Sequence, residues 1–583
     1  MRPAELHSAV SKDVVSAAVR FSGVELRWAH GLESPCSDSD QPCDVRSLNT
    51  RLAQVPLRLI VATMMSRSKA ALCGLYAGLV AGIAMTLAML LLAWLFQIAT
   101  PLVILGDRLS VFISPKPFFW IMGRVGGYNH LKQLGVGSSI LGQILVGAIG
   151  GMVYGLVRRK RGDVGYRGTF LIFVALPLVV SAILLWPVLG THYGGMPIDA
   201  ARLITLLGLA VSFLLFERVL VLGFDFLTSH GQEKTAAQPE FTPHLGRRAF
   251  LFGTLGLLFA GGSAAIARKL FRIAAFSYDG TQYLGADVQA ITPNDRFYCV
   301  TKNVVDPRVD EGLWHLEVTG LVQHPHTYRL LDFKNMEMVD QETTLMCISN
   351  GLDAGLMSNA VWRGIPMGDL LEAASPLPGA ERVRLHGVDN YTDTVPFQKA
   401  MTPTTLIAFK MNGTELPDRH GFPARAIVPG YFGEKHVKWL TRIEVTKADA
   451  KGFYETQGWG PNFIVPTRSR IDIPYNESWI KIANVAKGVP VKGVAFGGDR
   501  GISRVEFSSD DGESWDEAKI DYPGTKLTWA LWSFNWAPDD EVDDYTLVVR
   551  ATDGEGKVQE FEEDRAFTSG ITGFHKVIVH IVG

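Results

Sequence analysis

The hydrophobic pattern of the chain changes once, near residue 275. Before that point apolar residues run on without interruption: no charged residue occurs from Ala70 to Gly106, from Leu134 to Val157 or from Gly168 to Gly190. Each run exceeds the roughly 20 residues that a helix needs to cross a bilayer. A fourth run starts at about Leu203 and is interrupted by Glu217 and Arg218, and a fifth spans Ala249 to Ala267. After Phe276 the period shortens. Trp314 to Gly320 alternates like a half-buried strand, Pro366 to Ala374 has the spacing of a short helix, and Val437 to Val445 reads as a long strand. From Val491 onward, short alternating strands are broken by Asp-Gly and Gly-Gly turns, the pattern of an immunoglobulin-like sandwich of roughly 100 residues.

These patterns predict a multi-domain chain: a flexible leader over 1–66, four transmembrane helices over 67–230, and a segment at 231–274 carrying a fifth. A mixed α+β domain over 275–474 and an immunoglobulin-like β-sandwich over 475–583 follow. Arg158, Arg159, Lys160, Arg161 and Arg167 lie between the second and third runs, and cytoplasmic loops are the ones enriched in such residues. The N-terminus is therefore expected inside, and the C-terminal half outside the cytoplasm of a multi-pass cell-membrane protein. Two groups of cations run against this order: Arg108, Lys116, Arg124 and Lys132 before the second run, and Arg268, Lys269 and Arg272 after the fifth.

Composition adds exclusions. At 583 residues several cores are required, and a net charge of -2 without a basic, aromatic-interleaved stripe gives no reason to expect nucleic acid as a partner. Five cysteines are too few for a disulfide scaffold. His130, His192, His230 and His244 fall outside the apolar runs, so no haem is expected between the spans. The stretch GRRAFLFG, Gly246 to Gly253, resembles a twin-arginine export signal in an internal position, and also reads as a plain cytoplasmic anchor.

Two stretches carry chemistry. In TTLMCISN, Thr343 to Asn350, Cys347 offers a soft thiolate suited to a metal. Cys299 and Cys347 are also the two cysteines of the C-terminal half, and outside the cytoplasm such a pair can form a disulfide. The second stretch, HGFPARAIVPGYFGEKHVKW, gathers His420, Arg425, His436 and Lys438 around Pro423, Pro429, Gly430 and Gly433. Cationic donors beside glycine-rich turns suit a phosphate, and they equally suit a solvated charged loop.

Together, MNGTELPDRHGFPARAIVPG and GEKHVKWLTRIEV resemble the sulfite oxidase family of molybdopterin enzymes, from about Asp295 to the C-terminus. The resemblance implies a molybdenum-molybdopterin cofactor. It puts Cys347 on the metal ligand, and Asp389, His420, Arg425, His436, Val437 and Lys438 on positions contacting the pterin and its phosphate. Pro293 to Asn303 falls on the family's N-terminal cofactor contact, with Lys302 and Asn303 closest to the metal. It implies a tail that dimerises and two-electron oxygen-atom transfer on a small substrate, a sulfite-like oxyanion or an S- or N-oxide, with Lys302 and Arg363 steering an anion.

The sequence departs from sulfite oxidases at the substrate. Lys302 replaces an arginine, ISNGLDAG lacks paired arginines, and the region of Trp459 has no counterpart of the catalytic tyrosine. Lysine is not a two-pronged anion clamp. Electrons are expected to pass to a separate carrier, a quinone enzyme or a cytochrome, with the lipid bilayer as the other partner. The competing readings are a non-catalytic membrane-anchored binding or receptor protein on a degenerate molybdopterin fold, and a transporter. The transporter has few ionisable groups in its spans beyond Glu217, Arg218 and Asp225.

Overall fold

The computed structural model describes residues 66–96, 98, 115–162, 164–186, 189, 196–229, 244–538, 542–564 and 568–583. The leader expected over 1–66 therefore lies outside the described residues except for Ser66, as do His192 and His230.

Five helices are long and apolar enough to cross a membrane: α1 Arg67–Phe96, α3 Tyr128–Lys160, α4 Gly165–Leu185, α5 Ile198–Thr228 and α6 Gly246–Arg272. A short helix, α2 Pro115–Arg124, precedes α3. The helices begin earlier than the apolar runs suggest, because polar residues at their ends still continue the backbone hydrogen-bond ladder. His130 accordingly sits in the first turn of α3 rather than in a loop, its Nδ1 2.8 Å from the Gly126 carbonyl.

α1 and α3 lie backbone to backbone. A Cβ added at Gly151 of α3 would fall 2.3 Å from the Gly74 carbonyl oxygen of α1, and one at Gly78 would fall 2.3 Å from the Gly147 carbonyl. Glycines at four-residue spacing on both helices give this approach its dispersion contacts, which matter where lipid removes the hydrophobic drive between helices. The charged residues of α5 are paired. Glu217, fully buried, accepts from Thr169 at 2.5 Å and from Arg218 at 2.5 Å, and Arg158 reaches Asp225 at 3.0 Å. At the opposite end of the bundle from Arg158, cations lie over tryptophans: Lys269 on Trp94 at 4.1 Å and Arg202 on Trp186 at 4.8 Å.

After α6 the chain forms two sheets around a core that includes Trp314, Phe333, Ile365, Leu371 and Ile443. One runs in the order His326–Arg329, His315–Gly320, Leu440–Thr446, Arg382–Gly387, Thr392–Pro396, with the second and third strands parallel. The other is built on the hairpin Val339–Met346 and Met357–Pro366, continued by Leu406–Met411, with which both Thr414–Glu415 and Arg425–Ile427 pair. The tail is mostly β: a four-stranded and a five-stranded sheet share one core around Val491, Phe507, Trp532, Val549 and Val579. Arg468–Ile473 belongs to this tail, pairing with Val489–Phe496. Inward-facing residues such as Ile471 are buried in the tail's core.

Candidate active site

Cys347 follows the last residue of the strand Val339–Met346. Its amide donates to the Leu356 carbonyl at 2.9 Å and its carbonyl accepts from the Asn350 amide at 3.0 Å, so the turn fixes its backbone on both sides. The thiol is buried, with Sγ 3.2 Å from Ser349 Oγ. Burial pushes its pKa up to about 11, and the Glu434 and Asp279 carboxyls nearby act in the same direction. Bare, this is a protonated thiol; a bound cation reverses that balance, since a coordinating thiol is deprotonated outright. Cys299 is likewise a free thiol, so the structure has no disulfide between the two.

The second stretch closes against the first. A Cβ at Gly433 would lie in contact with Cys347 Cα at 3.7 Å and would strike Tyr298 Oη at 2.5 Å, so a larger residue here must displace that tyrosine. Behind it Arg425 is buried, its guanidinium 5.0 Å from the Trp362 ring centre. It donates to the carbonyls of His420 at 3.1 Å and His436 at 3.2 Å, while Nε has no acceptor. Burial alone lowers its pKa to about 10. A buried cation held by backbone carbonyls, with a donor left over, suits a bound anion such as a phosphate.

The other cradle residues converge on the same place. Asn303 Nδ2 donates to Asp389 Oδ2 at 2.9 Å, and its own Oδ1 is buried without a donor. Asp389 also accepts from the Tyr391 amide at 3.1 Å. His420 Nε2 is 3.1 Å from the Asn294 carbonyl, and burial beside Arg425 and Lys438 holds its pKa well below the usual histidine range. Lys438 donates to the carbonyls of Arg419 at 3.1 Å and Val300 at 3.3 Å, and Val437 presents its carbonyl to the Ala426 amide at 2.9 Å. Lys302 lies 5.7 Å from the centre of the Phe453 ring.

Two of the expected side chains are engaged elsewhere. Arg363 is not at this site: it pairs with Asp340, six register positions along the hairpin from the Met346 and Met357 pair, and makes a 2.7 Å ion pair with it at the exposed end. Six residues of strand cover about 20 Å. His436 has no ring nitrogen left for a ligand, since Nδ1 accepts from the Val428 amide at 3.1 Å and Nε2 donates to the Tyr431 carbonyl at 3.1 Å. Its neutral form is fixed by burial, with a pKa lowered to about 3. What it offers the cradle is its backbone.

Several groups here escaped the sequence reading. Glu434 has both carboxyl oxygens buried without a partner, and burial pushes its pKa up to about 8. Lys435 is a buried ion pair with Asp393 at 2.6 Å, and Tyr391 donates to Asp393 at 2.8 Å and to the Glu434 carbonyl at 3.2 Å. Tyr454, near enough to feel Cys347 and Glu434, stands 4.7 Å ring to ring from Trp459 in the very region without a catalytic tyrosine counterpart. Glu434 and Lys435 lie inside the quoted stretch; only the long-range partners tell them from solvated charges.

This fold and this donor set define a molybdopterin oxidoreductase. Residues 303–454 match the family model described as oxidoreductase molybdopterin binding domain, and residues 463–582 match that of the Mo-co oxidoreductase dimerisation domain. The chain is 28% identical over 349 residues to a sulfite oxidase of Arabidopsis thaliana, covering 50% of this chain and 88% of that one. It is 31% identical over 315 residues to the sulfite oxidase of Gallus gallus, covering 46% and 68% respectively. It is 29% identical over 338 residues to an NADPH nitrate reductase of Emericella nidulans, spanning only 38% of that protein. The chain belongs to the sulfite oxidase family, and its cofactor is molybdenum-molybdopterin.

Proposed function

We propose that the chain is a membrane-anchored enzyme that takes an oxygen atom from a small S- or N-oxide outside the cytoplasm. The observation that carries this is the junction of Cys347 with Gly433, backed by the buried Arg425, whose Nε is left without an acceptor. Cys347 would hold the metal; Asn303, Asp389, His420, Arg425 and Lys438, with the backbone at His436 and Val437, would hold the pterin and its phosphate. When bound, the cofactor supplies two-electron oxygen-atom chemistry.

The loss of an anion-steering guanidinium favours a neutral dipolar oxide over an oxyanion: Arg363 is engaged with Asp340. Tyr454, close enough to Cys347 to interact with it electrostatically, is the donor we assign to an oxide oxygen, with Lys302 beside Phe453 nearby. The buried carboxyl of Glu434 stays neutral below about pH 8 and adds no charge to repel a lone pair.

The bundle supports an extracytoplasmic catalytic domain. Its first residues hydrogen-bond to the start of α3, at the end of the bundle opposite the basic cluster that begins at Arg158. A folded, cofactor-loaded domain suits export through the arginines of GRRAFLFG. The two-sheet tail, which we read as immunoglobulin-like, would dimerise, and electrons would be exchanged with a separate quinone enzyme or cytochrome, which supplies them when an oxide is reduced.

The test is turnover by the full chain in detergent, made in a host that supplies the cofactor. Dimethyl sulfoxide and trimethylamine N-oxide are offered with a reduced viologen dye, nitrate with the same donor, and sulfite with ferricyanide. Turnover of the oxides is expected. Turnover of sulfite or nitrate alone would reverse the substrate class, and a molybdenum-loaded protein inert to all four would return the binding-protein reading.

A further inference from the structure

Lys132 belongs to the first turns of α3, a membrane helix, yet only 8% of it is exposed, because its ammonium enters the catalytic domain. Nζ donates to Asp279 Oδ2 at 2.6 Å, to the Thr301 carbonyl at 2.5 Å and to the Asn303 carbonyl at 2.9 Å. All three hydrogens of the ammonium thus have an acceptor. One turn earlier Asn129 donates to the Asp279 carbonyl at 2.8 Å, and Asp279 Oδ1 in turn accepts from the Thr301 amide at 3.0 Å.

The segment so held is the one that carries Lys302 and Asn303. It is bounded on its other side by the cradle, where Lys438 donates to the Val300 carbonyl and Asn303 donates to Asp389. The exit of α6 pairs with the same segment, through the Ala275 amide to the Val304 carbonyl at 2.8 Å and the Gly280 amide to the Cys299 carbonyl at 2.7 Å. A segment with little regular ladder of its own is thereby fixed between two membrane helices and the cofactor cradle.

We infer that Lys132 is a positioning residue for the cofactor pocket: the membrane half completes the wall on which Lys302 and Asn303 stand, and is more than an anchor. The inference rests on the reading of Asn303 as a cofactor contact. Lys132 reaches neither cofactor nor substrate; it acts through the backbone of Thr301 and Asn303. Groups that orient a ligand in this way commonly matter about tenfold or more to metal binding or activity.

The experiment uses the full chain in detergent from a cofactor-making host, as parent, Lys132→Met and Lys132→Met/Asp279→Asn. The double variant removes the carboxylate that the single one would strand in a buried site. Molybdenum and pterin per chain are measured, with the Mo(V) paramagnetic resonance spectrum of whatever fraction is loaded. The expected result is a fall of about tenfold in loading, or an altered Mo(V) signal in the loaded fraction, in a folded double variant. A folded double variant with the parent's loading and signal would overturn the inference and leave the cofactor assignment intact. Failure of both variants to fold would also overturn it, by making Lys132 a residue of stability alone. A parent without molybdenum would instead sink the assignment on which it rests.

Discussion

Gly433 packs directly on Cys347: a Cβ there would touch Cys347 Cα at 3.7 Å, and it would strike Tyr298 Oη at 2.5 Å. Two stretches more than eighty residues apart in sequence meet at this point. Relief of the clash would move either Tyr298, which packs beside Cys347, or the turn that bears Glu434.

Gly433→Val should therefore lower molybdenum per chain by about tenfold, the scale typical of disturbed supporting contacts. The chain should still melt cooperatively, since overpacking one position costs about 1–3 kcal/mol. Metal analysis beside a thermal melt checks this, and full loading of the valine variant would show that the two stretches need not touch.

Acid should weaken the tail through His575. Its Nδ1 accepts from the Ile471 amide at 3.0 Å, and burial beside Arg470 lowers its pKa to about 4. An unfolded histidine titrates near about 6.5. Between those values the unfolded chain binds more protons, so stability is whole above the unfolded value and falls as pH drops toward the folded one, by on the order of 2 kcal/mol at pH 5. His575→Asn keeps an acceptor and removes the titration. Its melting temperature should change less between pH 7.5 and pH 5 than the parent's; an equal change would exclude His575 as the cause.

The helix contact is open to an internal comparison. Gly151 of α3 meets Gly74 of α1 at 2.3 Å from an added Cβ, whereas a Cβ at Gly142 of the same helix meets nothing within 4 Å. Gly151→Val should lower the melting temperature of the detergent-solubilised chain and Gly142→Val should leave it nearly unchanged. Equal effects would place the cost in helix propensity rather than in the α1 and α3 contact.

The five long apolar helices and the segment that packs beside Cys347 were legible because both signals are local. An uncharged run longer than about 20 residues has few alternatives to a spanning helix, and the stretch from His420 to Trp439 holds its donors in one segment. What was lost is long-range. Arg363 is sixteen residues from Cys347 in sequence, but antiparallel register carries it to the other end of its hairpin. Lys132 counted against the charge asymmetry of the loops because its partner, Asp279, lies 147 residues away. His436 sits where expected, yet its ring is spent on Val428 and Tyr431, a use that no spacing reveals. Glu434 and Lys435 were in view but unread, for the same reason that a charged pair in a loop is ordinarily solvated.

The central claim is that Cys347 and Arg425 hold one bound cofactor from two sides, and molybdenum and pterin content tests it most directly. The full chain, Cys347→Ser and Arg425→Ala are to be purified from a cofactor-making host and assayed for both. Near-stoichiometric metal and pterin are expected in the parent, with an altered Mo(V) signal in the serine variant and a loss of pterin of about tenfold or more in the alanine variant. A folded parent carrying neither metal nor pterin, or an alanine variant as fully loaded as the parent, would contradict it.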